Sequence, residues 1–324
     1  MNETDILIIG AGMTGLTAAG DLQRAGHRVL VVDKGRGVGG RMATRRIGQA
    51  VLDHGAQFFT AKAPRFAAAV EGWQKADVAK AWFAGDQAAD HIRWRGAPNM
   101  AAVAKHLARG LDVRLNTRIT SISRTEHGWS AAAESGAVFY AKAILLTAPV
   151  EQSLALPDVA ALDLHPKIVT GLQEIRYERC LAVMAVLATP SAVPAPGALT
   201  LADGPIVWIA DNRQKGISPV PAVTIHAAAD FSLAHWEEDR RQVGRALLEA
   251  AQPHIGAPAT EFQVHGWRYS RPLRIHEAPY VALSSSPPLL LAGDAFAGAR
   301  VEGAAGSGWA AAEALNRLLS TIAD

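Results

Sequence analysis

Apolar and polar positions alternate with three different rhythms along the chain, and each rhythm predicts a different kind of element. Residues 6–9 are uninterruptedly apolar, as in a parallel strand covered on both faces. Leu16, Ala19 and Leu22 then recur at helical spacing, Gly26 stops that helix, and 29–32 form a second apolar run. A strand, a helix and a strand thus follow each other at the start of the chain. The end of the chain repeats the theme: 289–292 read as a buried strand, and 303–319 as a helix with Ala- and Leu-rich faces. Between them, 111–150 alternate apolar with polar around Gly128 and Gly136, which predicts an antiparallel meander feeding the strand that ends at Pro149. Beyond Pro149, the runs 181–187, 206–211 and 222–230 are candidate strands of another sheet, and 237–255 is an amphipathic helix to cover it.

These patterns predict an α/β protein: a discontinuous Rossmann-like dinucleotide-binding domain and a second α+β substrate domain on a mixed or antiparallel sheet. The first domain is expected over 1–60, 97–150 and 285–324, the second over 61–96 and 151–284. A chain of 324 residues is long enough for two cores.

Composition narrows the class without naming it. Hydrophobic residues make up 49% and charged residues 19%, typical of a compact protein, and no run of about 18 apolar residues could span a bilayer. Residues 1–5 carry two acids and lack the basic and apolar pattern of a secretory leader, so the cytoplasm is the expected location. The lone cysteine, Cys180, agrees with a reducing compartment and sits in an apolar run that predicts a buried thiol. A net charge of +2 with scattered arginines gives no reason to expect a nucleic-acid partner. The 11 histidines show no metal-ligand spacing, so no metal is expected.

Candidate chemistry concentrates at the two ends. Gly10, Gly12 and Gly15 stand in G-x-G-x-x-G spacing between the first strand and its helix. That spacing serves a tight turn, a close approach of backbone to pyrophosphate, and close helix packing. Met13 and Thr14 open the helix, whose free N–H groups and dipole favour a phosphate. Asp33, 23 positions beyond Gly10, can accept from an adenosine ribose, with Lys34 beside it. An ADP moiety is therefore expected, but NAD and FAD share it. Gly39, Gly40 and Arg41 add a tight backbone passage and a guanidinium matched to phosphate. Gly293 and Asp294 end the last strand, where the carboxylate can accept from a ribityl hydroxyl. Val301, Glu302 and Gly303 lead into the last helix, whose dipole suits the pyrimidine edge of a flavin.

With these motifs in view, the sequence resembles the flavin-containing amine oxidase superfamily and, within it, the bacterial renalase-like proteins. The matching stretches are GAGMTGL (10–16), DK (33–34), GGRMAT (39–44), DHGAQFFT (53–60), APNM (97–100), LLTAPV (145–150), DN (211–212), IH (225–226), WRYS (267–270) and GDAFAGARVEGAAGSG (293–308). Much of the superfamily has Glu where this chain has Asp33, and the absence of Cys and His from 302–308 points to a non-covalent flavin. The resemblance implies an FAD-dependent oxidase. Its substrates would be dihydropyridine isomers of NAD(P)H carrying the hydride at ring position 2 or 6, and O2 would reoxidise the flavin to give hydrogen peroxide. It places Gln57 and Phe58 at the flavin and substrate ring, and His226 at the reacting face. Asn212 could hold a carboxamide, Trp267 and Tyr269 could wall the pocket from one strand face, and Arg300 could reach a substrate phosphate. Asp53 and His54 are expected to shape their loop. Two other readings stay open: an oxidase of small amines, with Trp267 and Tyr269 flanking the nitrogen, and a non-catalytic partner-binding protein of the same architecture.

Overall fold

The computed structural model describes residues 3–85, 91–156, 159 and 162–323. The expected segments 61–96 and 151–284 include 86–90, 157, 158, 160 and 161, and the reading of residues 1–5 includes Met1 and Asn2; these positions lie outside the described residues. The chain forms two compact units, residues 1–40, 104–176 and 272–324 in one, and 41–103 and 177–271 in the other.

The first unit is built on an 8-stranded mixed sheet. Its central path runs Val281–Ser285, Pro288–Leu291, Val138–Leu146, Glu3–Ile9, Val29–Val32, Asp112–Arg114. The pairs from Pro288–Leu291 to Asp112–Arg114 are parallel, and the meander Ile119–Thr125, Gly128–Ala133 joins Val138–Leu146 antiparallel. Continuous apolar runs take the middle positions because both faces there are covered; Ile6, Ile8, Val31, Leu145 and Leu290 share a core with Leu16, Leu22, Ala311 and Leu315. Two helices supply the latter: Met13–Arg24, which closes the first β-α-β unit, and Val301–Ala323 from the chain's end.

The second unit carries a 5-stranded sheet in the order Ala198–Thr200, Ile206–Asp211, Ala222–Ala227, Tyr177–Leu187, Ala259–Pro272. Val183, Ile209 and Ile225 turn to one face, where they meet Val243, Leu247, Ala251 and Ile255 of the helix Arg240–Ile255. That helix is capped by Asp239, whose carboxylate accepts from the backbone N–H groups of Arg241 and Gln242, and it ends at Gly256 in the left-handed region. Thr224 and His226 turn to the opposite face. The hairpin Thr44–Ile47, Ala50–Asp53 packs there through Ile47, Ala50 and Leu52 against Met184 and Ala222. This packing is why the first unit stops at Gly40 and not near the expected residue 60: the hairpin's apolar side chains find their partners on the second sheet.

Cys180 is buried, and burial pushes its thiol up to about 12. No helix among the described residues is long and apolar enough to cross a membrane.

Candidate functional site

In the first unit, the glycine turn is a shaped cradle. Gly10 takes φ +120°, and a Cβ there would collide with Thr147 Oγ1; a Cβ on Gly15 would collide with the carbonyl oxygen of Gly10. These two glycines are demanded by the protein itself. Gly12 is different, because a Cβ there would meet nothing within 4 Å, so the space beside it is open. Gly12 is also the N-cap of Met13–Arg24 and no side chain caps that helix, which leaves its first N–H groups facing outward with the positive end of the dipole. Asp33 braces the turn: Oδ2 accepts from Ala11 N at 2.7 Å and Oδ1 from Gly35 N at 2.6 Å. The remaining lone pairs of that carboxylate are free for a ribose hydroxyl in the sense that each oxygen can accept twice. Gly39 N donates to Ala11 O at 2.8 Å, and Gly40 stands so close that its Cβ would lie 3.6 Å from Gly12 Cα. The glycine pair lets one loop rest on the other. Lys34 is exposed and donates to Gln152 Oε1 at 3.0 Å.

The C-terminal helix is locked against the same turn. Thr14 Oγ1 donates to Ala304 O at 2.9 Å, and a Cβ on Gly308 would collide with Thr14 O. Ser307, fully buried, accepts from Gly293 N at 2.8 Å and donates to Pro279 O at 2.6 Å, which fixes the strand-to-helix passage that presents Asp294. Val301 and Glu302 are half-buried, Gly303 is buried, and Arg300 is exposed. Open space beside Gly12, an uncapped helix start and a braced carboxylate fit the adenosine and pyrophosphate half of a dinucleotide.

In the second unit, the stretch 53–57 is the hub of a buried polar network. Asp53 and Lys215 form an ion pair of 2.8 Å with both side chains fully buried. Asp53 Oδ1 also accepts from Thr44 Oγ1 at 2.6 Å and Met100 N at 3.0 Å. Its backbone oxygen accepts from Thr224 Oγ1 and from Gln57 Nε2. The next carbonyl, that of His54, receives Trp267 Nε1 at 2.8 Å and faces His226 Nε2 at 3.2 Å. The Trp267 indole stacks on the His54 ring, 5.3 Å between centroids and 24° between planes, and His265 meets both edge-on. The histidines of this cluster are held uncharged. Burial takes His54 down to about 3, helped by His265 and Arg45, and burial takes His226 down to about 4, with the His54 carbonyl opposing and Lys215 assisting. Burial with Arg45 and Arg240 lowers His265 too. Lys215 is lowered by burial, against the pull of Asp53.

The structure gathers Gln57, His226 and Trp267 around the 53–57 backbone, and sets other sequence-proposed residues differently. Arg41 was expected at a pyrophosphate; its guanidinium donates to the carbonyls of Tyr269 and Ser270 at 3.3 and 3.2 Å. Asn212 was expected at a substrate carboxamide. It is fully buried instead, its amide donating to Thr224 Oγ1 at 3.0 Å, so it joins the Asp53 network and not a surface. Tyr269 meets Tyr177 edge-on at 5.6 Å, while Phe58 packs with Trp208 and Phe83. Sequence reasoning missed Lys215, Thr44 and Thr224: Lys215 lies in a polar loop 162 positions from its partner, and nothing local marks it as buried. Gln57 Oε1, His54 Nδ1 and Asn212 Oδ1 are buried with no hydrogen-bond partner. Among the described residues, no group of three or more His, Cys, Asp or Glu side chains is arranged to hold a metal ion.

Residues 8–72 match an NAD(P)-binding Rossmann-like domain, and residues 66–316, more than half of the chain, match the flavin containing amine oxidoreductase family. An L-amino-acid oxidase of Echis ocellatus is 51% identical over 45 residues, which is 14% of this chain and 9% of that protein. A Mycobacterium tuberculosis protein named as the flavin-containing monoamine oxidase AofH is 44% identical over 54 residues, 17% of this chain and 12% of that one. The matched stretches thus span only a small part of these relatives. In fold, the chain is similar to a protein named as a protoporphyrinogen oxidase from Exiguobacterium sp. 255-15, with TM-score 0.77, 14% identity, and 97% and 98% of the two chains covered. It is likewise similar to putrescine oxidase bound to putrescine, with TM-score 0.71, 14% identity and 99% of each chain covered. The chain belongs to the flavin containing amine oxidoreductase family, with FAD as its non-covalently held cofactor.

Proposed function

We propose that this protein oxidises dihydropyridine isomers of NAD(P)H that carry the hydride at ring position 2 or 6, with O2 as the electron acceptor. Bound FAD would supply the two-electron redox chemistry, so that the hydride's electron pair, with the hydride's own proton and one from solvent, would leave on O2 as hydrogen peroxide. The dihydropyridine loses C–H as hydride and becomes the aromatic pyridinium NAD(P)+, so no proton has to be removed from the substrate.

The observation that carries this reading is the neutral histidine cluster, with His226 held at about 4 and His54 at about 3. An alkylammonium substrate must shed a proton before it can be oxidised, and imidazoles this acidic are poor acceptors for it. A dihydropyridine needs only to be held flat and in place, and positioning by itself can supply several kcal/mol of the barrier reduction, up to about 7–11 kcal/mol in the best cases. Trp267, pinned by its bond to the His54 carbonyl and stacked on that ring, offers a rigid aromatic surface for such a substrate. We take Gln57 Oε1, buried and without a hydrogen-bond partner, as the acceptor for a carboxamide N–H. We assign the dinucleotide half of FAD to Gly10, Gly12, Gly15, Asp33 and the start of Val301–Ala323, with a small-molecule substrate and O2 as the reaction's partners.

One observation favours a second reading. Trp267 and Tyr269 share a strand face, as an aromatic pair flanking an amine would. Against it, the Tyr269 ring is taken up edge-on by Tyr177, so the two rings do not face one another as a free pair. Anaerobic mixing of the FAD-loaded protein with 6-dihydro-NAD and with a panel of primary amines, followed by flavin absorbance, decides between them. Rapid bleaching by an amine and none by the dihydropyridine would overturn the proposal.

A further inference from the structure

The second unit holds a cavity of about 530 Å³ that the oxidase reading does not use. It lies at the open edge of the strand Ala259–Pro272, the last strand of its sheet, beside the start of the helix Arg240–Ile255. Three arginines line it: Arg45, Arg240 and Arg241. Arg45 donates to Gln263 Oε1 at 3.2 Å; Arg240 lies over the Trp236 ring at 4.9 Å, and its Nη1 is buried without a hydrogen-bond partner. Among the described residues, none of these guanidinium groups is in an ion pair, although the protein pairs Arg271 with Glu178 and Arg274 with Glu174 elsewhere.

Charge here is left unbalanced. Arg179 and Arg268 also stack on Trp236, at 4.9 and 5.9 Å, and His265 is within the influence of Arg45 and Arg240. The acids on the other side of the ledger are Glu261, which lines the cavity, and Asp239, whose Oδ1 is committed to the helix N-terminus. Leaving several cations close together and unpaired is costly for folding unless an anion visits them. A single carboxylate is satisfied by one guanidinium fork. Three forks match a phosphate, with its two charges and several acceptor oxygens. The volume exceeds what a bare ion would fill and falls in the range of small-molecule sites, roughly 300–1,000 Å³. Phe262 and Val264 give the cavity an apolar wall on which an organic body can rest.

We propose that this cavity binds a small organic phosphate monoester, its phosphate held by Arg45, Arg240 and Arg241 and its body lying against Phe262 and Val264. The site is built within one unit of the protein and does not rest on the dihydropyridine reading.

The test is calorimetric titration of FAD-loaded protein with 2′-AMP, adenosine and inorganic phosphate. The flavin spectrum serves as the check that every variant is folded and loaded. The proposal expects 2′-AMP to bind at least tenfold more tightly than either adenosine or inorganic phosphate. It expects Arg45→Gln/Arg241→Gln to lose at least tenfold, and Arg45→Lys/Arg241→Lys to lose less. Should the double glutamine variant not load with FAD, the exposed single substitution Arg241→Gln carries the comparison, with at least a threefold loss expected. Adenosine binding as well as 2′-AMP, inorganic phosphate binding as well as 2′-AMP, undiminished binding in the glutamine variants, or no binding of 2′-AMP would each overturn it.

Discussion

Replacing Lys215 by Met tests whether the 53–57 hub is held by charge. Both partners of the Asp53–Lys215 pair are fully buried, so the substitution removes the ion-pair partner of a carboxylate in a place water does not reach and leaves it only the more distant charge of Arg95. Removing one member of such a pair costs about 3–5 kcal/mol. Asp53 keeps its bonds from Thr44 Oγ1 and Met100 N, which sets the expectation at the lower part of that range. For a unit of this size, 1 kcal/mol moves the melting temperature by roughly 2–4 °C, so Lys215→Met is expected to lower it by about 6–12 °C. Thermal melts followed by circular dichroism, at one fixed FAD excess because bound cofactor itself raises the midpoint, measure this. The double variant Asp53→Asn/Lys215→Met removes both charges and is expected to melt above Lys215→Met alone. A Lys215→Met protein melting within about 2 °C of the parent, or a double variant melting below the single one, would refute the reasoning.

Gly12→Ala is expected to leave the FAD-free protein folded, with a fall of about 1–4 °C from the weaker N-cap, while weakening FAD at least tenfold in equilibrium dialysis. Gly15→Ala, whose Cβ meets the Gly10 carbonyl, should damage the FAD-free protein as well; equal behaviour of the two variants in the melt would contradict the distinction. The histidines predict acid sensitivity with a definite sign. Unfolded, they take up protons near pH 6.5, but folded His226 and His54 do so only near 4 and 3. Their stabilisation of the fold is therefore complete above about pH 6.5 and is lost as pH falls through the interval toward those values. His226→Gln should flatten the fall of melting temperature between pH 6.5 and 4, and an unchanged slope would count against the assignment. Trp267→Phe keeps an aromatic ring but loses the bond to the His54 carbonyl; about 1 kcal/mol of stability should go with it, read from the same melts.

The parts of this protein that were legible in sequence are those written locally. The spacing of Gly10, Gly12 and Gly15, with Asp33 bracing the turn from the end of the next strand, was sufficient to find them, although Thr147, whose side chain demands Gly10, stands far along the chain. The apolar runs gave the strands Glu3–Ile9, Val29–Val32 and Ile206–Asp211, and the period of Val243, Leu247, Ala251 and Ile255 gave the helix that covers the last of these. The second unit's polar network was not legible, because each of its links joins distant positions. Asp53 reaches Lys215, Thr224 reaches back to Asp53, and Trp267 binds the carbonyl of His54. Arg41 and Asn212 show the same limit from the other side. A polar residue in a loop advertises hydrogen bonds but not their partner, and here the partners are the protein's own carbonyls and hydroxyl. The hairpin Thr44–Ile47, Ala50–Asp53 went to the second unit because its register turns Ile47 and Leu52 toward Met184, a fact that no pattern within the hairpin contains.

The measurement that bears most directly on the account is stopped-flow reduction of the FAD-loaded protein under anaerobic conditions by 6-dihydro-NAD, followed by admission of O2. The account predicts rapid loss of the flavin's visible absorbance, one equivalent of NAD+ formed, and recovery of the colour with one equivalent of hydrogen peroxide. A flavin that stays oxidised in the presence of the dihydropyridine, or a protein that cannot be loaded with FAD at all, would contradict it.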